Sequence, residues 1–527
     1  MTARAHRGGE HAVDGRGGIA AAGHPQVAEV AAQVLRDGGN AVDAAVAGMF
    51  ASWACEPLLT GPCGGGYLLV AGGDVEPTVL DGFCAAPGLG GEPATAPLVA
   101  ADCDFGDTRQ VFYVGAASVA SFGMTAMMED AVHRWGSQPL ADLAEPGAVL
   151  AHRGIALNDV QAYVGEILEP ILGMTPGVRA LWMPEGRLLR AGERFLAPGL
   201  DETIRRIGRE GAAPLATGDL AAACVELVGQ QGGALTARDL AEHHPTASSP
   251  LAIAYRDRVV LTTPPSSAGG SLLAVALHAL ARTGGIPDAA ELLRAMDSAQ
   301  AVRTPAFAQH LVTDGFAHAL LAAAQDGREA VDALLARQPG STTHLSVLDK
   351  DGLACAVTCS NGECSGLVVP ETGLHLNNVM GEEDLNPLGF GHFPPGRRMP
   401  SMMCPTAVLG PGGELELALG SAGSNRIRSA LLRTIVGFVD EGLPLRDAVD
   451  AARLHREGDT VFVEPGVPTA GLFDEARAGD QGIPDQLVEF GERNLFFGGV
   501  QAVGLDRHTG KHVAAGDPRR GGAVAAA

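Results

Sequence analysis

The stretch Gly340-Ser-Thr-Thr-His-Leu-Ser-Val-Leu-Asp-Lys-Asp-Gly-Leu-Ala-Cys-Ala-Val-Thr-Cys-Ser360 decides how the chain folds. Two runs rich in β-branched and apolar residues flank Asp349-Lys-Asp-Gly352, a turn signal, and together they predict a hairpin. With the turn centred between Lys350 and Asp351, paired positions sum to about 701, which sets Thr342 beside Cys359 and Ser360 near the open end. A threonine hydroxyl thereby gains a serine hydroxyl as neighbour.

Two hydroxyls on a strand are ordinary decoration, and the downstream sequence is what gives them weight. Glu414 to Leu419 reads as a strand, Gly420-Ser-Ala-Gly-Ser424 as a tight turn, and Arg426 to about Asp440 as an amphipathic helix with Ile427, Leu431, Ile435 and Phe438 on one face. A strand, a glycine turn and a helix N-terminus present backbone N–H groups that can hold an anion or a developing oxyanion. Ser421 as an elbow nucleophile is the weaker reading, because Leu419 stands where the GxSxG pattern needs glycine.

Upstream, Pro25 opens a helix in which Val27, Val30, Ala31, Val34 and Leu35 recur at helical spacing before Gly38 and Gly39. Asn40 caps a second helix, with Asp43 in its first turn and an Ala/Val-rich body reaching about Cys55. Gly61-Pro-Cys-Gly-Gly-Gly66 then leads into a buried strand, Tyr67 to Val70. It is not a phosphate loop, since no Lys-Ser/Thr follows and the next element is a strand. The middle, about Ala117 to Arg337, is dominated by helical patterns, and His243-His244 before Pro245 reads as a solvated turn. Gly521 to Ala527 is a low-complexity tail.

Composition narrows the function classes. Of 527 residues 72 are Gly, 46% are hydrophobic and the net charge is -24, so the chain has ample core and a surface that repels phosphate backbones and anionic lipid headgroups. Neither nucleic acid nor a membrane is expected as a partner. The nine cysteines are odd in number and thinly spread, which argues for free thiols in a reducing compartment. Cys355, Cys359 and Cys364 lack a histidine at metal-site spacing, and neither metal nor cofactor is expected. Met1 to Gly18 has no apolar segment of the export type, and a cytoplasmic location is expected.

Several motifs stand in a recognisable order: Gly38-Gly-Asn-Ala-Val-Asp-Ala-Ala-Val46, Glu56-Pro57 with Gly64-Gly-Gly-Tyr67, Thr342-Thr-His-Leu-Ser-Val with Asp349-Lys-Asp-Gly352, Asn377-Asn378, Ser401-Met-Met-Cys-Pro405 and Gly420-Ser-Ala-Gly-Ser-Asn-Arg426. They resemble the gamma-glutamyltranspeptidase family and span both ends of the chain. The resemblance implies an α/β (α+β) fold, the four-layer αββα sandwich of the N-terminal-nucleophile hydrolases. It implies a precursor that cuts itself between Ser341 and Thr342, giving a large chain of residues 1–341 and a small chain of residues 342–527 that stay together as one heterodimeric fold. Thr342 would then be the nucleophile of a hydrolase or acyltransferase acting through an ester on a small-molecule amide or related acyl bond. Its freed α-amine, with a pKa of roughly 8, would serve as base for its own hydroxyl.

By motif match, Ser360 takes the place of the threonine that hydrogen-bonds the nucleophile, and Gly423 and Ser424 take that of the glycine pair whose amides form the oxyanion hole. Asn361, Glu382, Ser401 and Met402 fall at substrate-binding positions. The pocket nevertheless departs from the family's pattern. No arginine lies between Asp81 and Arg109 to grip a glutamyl carboxylate, Glu382 replaces an aspartate, Val379 a glutamine, and Met402 a serine. A bidentate carboxylate clamp has no apolar substitute. Glutathione turnover, an acylase-like reaction, a biosynthetic role that includes C–C cleavage in antibiotic precursors, and a retired ligand-binding protein all remain open at this point.

Overall fold

The structure is a computed structural model, and it describes residues 11–12, 17–105, 109–311, 342–470, 472, 486–507 and 509–527. Ser341, expected to carry the scissile carbonyl, lies outside them. Along the chain the central elements are β1 (Ile19–Ala22), α1 (Pro25–Arg36), α2 (Ala41–Cys55), β2 (Gly65–Gly72), α3 (Ala268–Ala281), β3 (Thr343–Leu348), β4 (Leu353–Ser360), β5 (Leu415–Ala422), α4 (Arg426–Val439) and β6 (Gly499–Leu505).

The expected hairpin forms from β3 and β4, one residue out of the expected register. Thr343 faces Cys359, His344 faces Thr358 and Leu348 faces Ala354. The turn explains the shift. The Asp349 N–H donates to the Leu353 carbonyl, which leaves Lys350-Asp351-Gly352 as a three-residue loop closed by Gly352 at φ 83°. A loop of that length with a left-handed glycine is a favoured closure, and it is centred on Asp351. The Asp349 carboxylate fastens it: Oδ1 accepts from the N–H groups of Asp351 and Leu353, and Oδ2 from that of Ala41 at the start of α2. Continuing the register, Thr342 lies opposite Ser360 and not Cys359.

Two seven-stranded antiparallel sheets stack on each other. The first runs Ala523–Ala526, β1, β3, β4, β2, Thr78–Asp81, Thr246–Ser248; the second runs His11–Ala12, His512–Gly516, β6, β5, Thr406–Leu409, Arg258–Thr262, Leu251–Tyr255. Alternation along β3 and β4 sends Leu345, Val347, Cys355 and Val357 outward into a core shared with α1 and α2. It sends His344, Ser346 and Thr358 inward, toward the second sheet. There Gly420 of β5 lies against the His344 ring, and a Cβ at that position would come within 2.2 Å of it. Helices α3 and α4 cover the outer face of the second sheet through Leu272, Leu277, Ile427 and Leu431. The result is the expected αββα order of layers, and both sheets contain strands from before and after Thr342.

The capping of α2 follows the sequence reading. Asn40 Oδ1 accepts from the N–H groups of Val42 and Asp43, and Asp43 Oδ2 accepts from that of Asn40. Every residue of α2 is buried, which is why its pattern is apolar all round rather than amphipathic.

Several expectations need correction. The middle region holds three strands of the large sheets, Thr246–Ser248, Leu251–Tyr255 and Arg258–Thr262, that a helical reading passes over. In the second of these, buried Leu251, Ile253 and Tyr255 alternate with exposed alanines, and alanine hides the period. The alanine-rich tail is a strand paired with β1. β5 continues through Ala422 because its pairing with β6 persists to Ala422 and Gly499, so the turn is confined to Gly423–Asn425. His243 is not solvated: its ring nitrogens meet Ser121 Oγ and the Arg398 guanidinium at 3.3 and 3.2 Å.

All nine cysteines are buried and unpaired. Burial pushes the thiols of Cys359 and Cys364 up to about 12. Among the described residues no cluster of His, Cys, Asp or Glu has the make-up of a metal site, and no single helix is long and apolar enough to cross a membrane.

Candidate active site

At the end of the hairpin, the inward face of the first sheet meets the turn that follows β5, and a cleft opens between them. Thr342 and Ser360 line it from the hairpin, and Ser424 and Ile427 from the turn and the first residues of α4. Phe83, Leu385, Met402 and Met403 supply apolar walls, and Glu382 and Ser401 complete the lining. Ser360 Oγ accepts the Gly362 N–H at 2.9 Å, which fixes the hydroxyl at the strand end opposite Thr342.

The turn has an unusual backbone. Gly423 has φ 119° and Ser424 φ 50°, a left-handed conformation that costs a non-glycine residue roughly 1–2 kcal/mol. Among the described residues, the N–H groups of Gly423 and Ser424 donate to no acceptor, and the N-terminus of α4 follows directly. Unspent amides at a helix N-terminus favour negative charge. The turn is anchored from below by Asp384, whose Oδ2 accepts from Ser424 Oγ at 2.7 Å and Oδ1 from Asn425 Nδ2 at 2.8 Å. Burial, with Glu457 adding to it, pushes the Asp384 carboxyl up to about 6 against the opposing pull of Arg303, Ser424 and Arg426. Arg426 Nε donates to the Phe496 carbonyl at 2.8 Å and ties α4 to the loop behind the turn.

Glu382 is 7% exposed, and its Oε1 has no hydrogen-bond partner. Burial first, then Glu363 and Asp384, pushes its carboxyl well above the usual range, which favours the neutral acid. Ser401 uses its hydroxyl to accept the Met403 N–H at 3.1 Å, shaping the loop that carries both methionines into the cleft. Asn361 is not brought to the cleft. Its Nδ2 donates to the His375 carbonyl at 2.9 Å, and its side chain lines a separate cavity with Trp53, Trp182 and His375. Because side chains alternate along a strand, the residue after Ser360 faces the opposite way.

Among the described residues, no lysine or arginine lines the cleft. Arg398 is committed to the Phe83 carbonyl at 2.6 Å, to Asp81 and to His243. Arg397 stacks on Phe393 and donates to the Gln309 carbonyl at 2.8 Å. No histidine among the described residues lines it either. His344, two residues along from Thr342, is locked between Thr358 Oγ1 and Ser346 Oγ at 2.7 and 2.8 Å, and burial lowers its pKa to about 3. Ser421, the weaker nucleophile reading, accepts the Gly499 N–H between β5 and β6 and does not line the cleft.

Several buried acids have no role assigned from the sequence, and two of them brace the hairpin and the turn. Asp384 is one. The other is Glu56, whose Oε1 accepts from Thr343 Oγ1 at 2.9 Å on the outer face of the hairpin; the Glu56-Pro57 motif signalled it without a role. Burial pushes the Glu56 carboxyl from an ordinary 4.5 up to about 7, against the Thr343 hydrogen bond, which lowers it. A raised acid stabilises the fold in its protonated form, fully below the unfolded pKa and progressively less as pH rises through the folded one. A shift of this size corresponds to about 3 kcal/mol. Urea unfolding of the chain should therefore show lower stability at pH 8 than at pH 5, and Glu56→Gln should remove about 2–3 kcal/mol of that difference. A slope unchanged in the variant would show that Glu56 is ionised throughout.

The fold is shared with cephalosporin acylase from Bacillus halodurans, which superposes with a TM-score of 0.83 at 24% identity, over 100% of this chain and 99% of the other. The gamma-glutamyltranspeptidase family model matches residues 27–527, and the chain belongs to that family. Among similar proteins, the acylase ACY 1 proenzyme of Pseudomonas sp. (strain V22) is 30% identical across 86% of this chain and 85% of its own. The glutathione hydrolase proenzyme of Bacillus subtilis (strain 168) is 26% identical across 97% and 91%. The chain is thus an enzyme, a gamma-glutamyltranspeptidase-like hydrolase or acyltransferase of amide bonds.

Proposed function

We propose that the protein is a self-processing threonine acylase whose acyl donor carries no free α-carboxylate. One observation carries the reading. Thr342, Ser360 and the Gly423–Ser424 turn line a single cleft in which Glu382 is the only titratable side chain, with no histidine and no cation among the described residues. A hydroxyl nucleophile there needs a base, and the α-amine that Thr342 gains on cleavage after Ser341 is in place to be it.

In the precursor, Thr342 Oγ attacks the Ser341 carbonyl, the acyl group passes from nitrogen to oxygen, and water hydrolyses the resulting ester. In the mature enzyme the α-amine takes the Oγ proton as Oγ adds to the substrate carbonyl. The oxyanion is met by the N–H groups of Gly423 and Ser424. The leaving amine departs with the proton, and water or an acceptor amine resolves the ester on Thr342. Ser360 orients Oγ. Ser401 shapes the wall, while Met402 and Glu382 contact the acyl group. The nine unpaired thiols support a cytoplasmic, reducing location, and the apolar walls favour a specialised metabolite over glutathione.

The mature protein, mixed with 4-nitrophenyl butyrate and quenched in acid, should carry one butyryl group on the Thr342 chain, located on Thr342 by fragment masses. Acylation elsewhere, or equal ester turnover by Thr342→Ala, would overturn the assignment.

A further inference from the structure

The Gly423–Ser424 turn holds a non-glycine residue in a left-handed backbone beside Thr342, and one buried carboxylate holds the two side chains that follow from that choice. Asp384 is 3% exposed and 40 residues away from the turn in sequence, and it accepts from both Ser424 Oγ and Asn425 Nδ2, one with each oxygen. Ser424 spends its hydroxyl on this contact and leaves its amide unspent. A glycine at that position would adopt φ 50° without cost and without a side chain to anchor, so the serine and the aspartate make sense only together.

We infer that Asp384 is a positioning residue: by bridging Ser424 and Asn425 it holds the Gly423–Ser424 amides in the shape that receives the oxyanion, and the chain depends on it because serine replaces glycine in the turn. This rests on the reading of Thr342 and the turn as the reacting centre. Asp384 does not touch the acyl group; it is absent from the cleft lining, and it acts through the turn.

The physical consequence is non-additivity. Asp384→Asn removes the charge and turns one of the two acceptors into an amide N–H₂, so either Ser424 Oγ accepts a weaker neutral hydrogen bond or Asn425 Nδ2 loses its acceptor, and the serine then tends to leave its left-handed conformation. With Ser424→Gly the same loss is tolerated, because the backbone no longer resists. The experiment is a double-mutant cycle of Asp384→Asn and Ser424→Gly, read by acylation with 4-nitrophenyl butyrate and by urea unfolding. Asp384→Asn alone should lower the acylation rate at least 30-fold with KM changed less than threefold, since the oxyanion exists only in the transition state. In the Ser424→Gly background the same substitution should cost at least tenfold less in rate, and its effect on the unfolding midpoint should also shrink.

Additive effects in both measurements would overturn the inference, as would a loss confined to KM. If acylation persists in Thr342→Ala, the reading of the centre fails instead, and the unfolding arm still decides whether Asp384 and Ser424 are coupled. An Asp384→Asn chain that still splits and is fully folded under the assay conditions, yet acylates slowly, separates the clamp from a general loss of fold.

Discussion

Thr342→Ala is expected to leave the chain as a single species of 53.8 kDa, whereas the parent resolves on a denaturing gel into fragments of roughly 35 and 19 kDa. Splitting before Thr342 by an N-to-O shift requires a hydroxyl at that residue, and no other nucleophile in the cleft can replace it without moving the scissile bond. Ser401 Oγ is engaged by the Met403 N–H and Ser424 Oγ by Asp384, while Ser360 Oγ lies across the strand pair. The first residue of the small fragment should be Thr342. Thr342→Ser should still split, more slowly, because the primary hydroxyl has lost the methyl that restricts its rotamer. Acyl turnover in Thr342→Ala should fall by a factor on the order of 10⁴ or more, as when the nucleophile of a covalent mechanism is removed. A parent chain that remains whole after prolonged incubation, or a Thr342→Ala chain that splits at the same bond, would rule out the mechanism.

What local sequence could reveal, and what it could not, divides along physical lines. The hairpin, the Asn40 cap and the α4 helix were legible because their signals are contiguous: a turn flanked by strand formers, a capping box, an apolar stripe. The register slipped by one residue because Asp349-Lys-Asp-Gly352 does not reveal which of its residues joins the strand. Here the Asp349 N–H joins the ladder, and a shift of one changes the partner of Thr342 from Cys359 to Ser360. The strand at Leu251–Tyr255 was hidden because alanine occupies its outward positions. Asn361 follows Ser360 directly, so its side chain leaves the strand end on the side away from the cleft, which a motif match does not reveal.

The Asp384 clamp had no local signal. Glu382, Glu383 and Asp384 are three consecutive acids, and only the fold distinguishes them: Glu382 reaches the cleft, while Asp384 reaches the Ser424 turn. The same holds for the missing cation. The sequence shows that no arginine follows Asp81 before Arg109, but only the structure shows that Arg397 and Arg398 are tied to Phe393, Asp81 and the Phe83 carbonyl.

That commitment leads to the second large effect, on substrate choice. Three 4-nitroanilides separate the contributions: γ-glutamyl, which has an α-carboxylate and an α-amine; 4-aminobutyryl, which lacks the carboxylate; and butyryl, which lacks both. A carboxylate entering this cleft loses water and finds no guanidinium among the described residues, and Glu382 in its neutral form offers at most one donor. Forgoing two charge-assisted hydrogen bonds, at about 1.5–3 kcal/mol each, corresponds to at least two orders of magnitude. The γ-glutamyl compound should therefore show kcat/KM about 10²-fold or more below that of the 4-aminobutyryl compound. Because the penalty is paid on binding and persists in the transition state, it should appear mainly in KM. Freeing Arg398 by Asp81→Asn should not recover γ-glutamyl turnover, since the Phe83 carbonyl and His243 still hold the guanidinium. Saturable γ-glutamyl release within tenfold of the 4-aminobutyryl rate would mean that a cation reaches the acyl group after all, and would return the enzyme to the glutamyl-specific branch of its family.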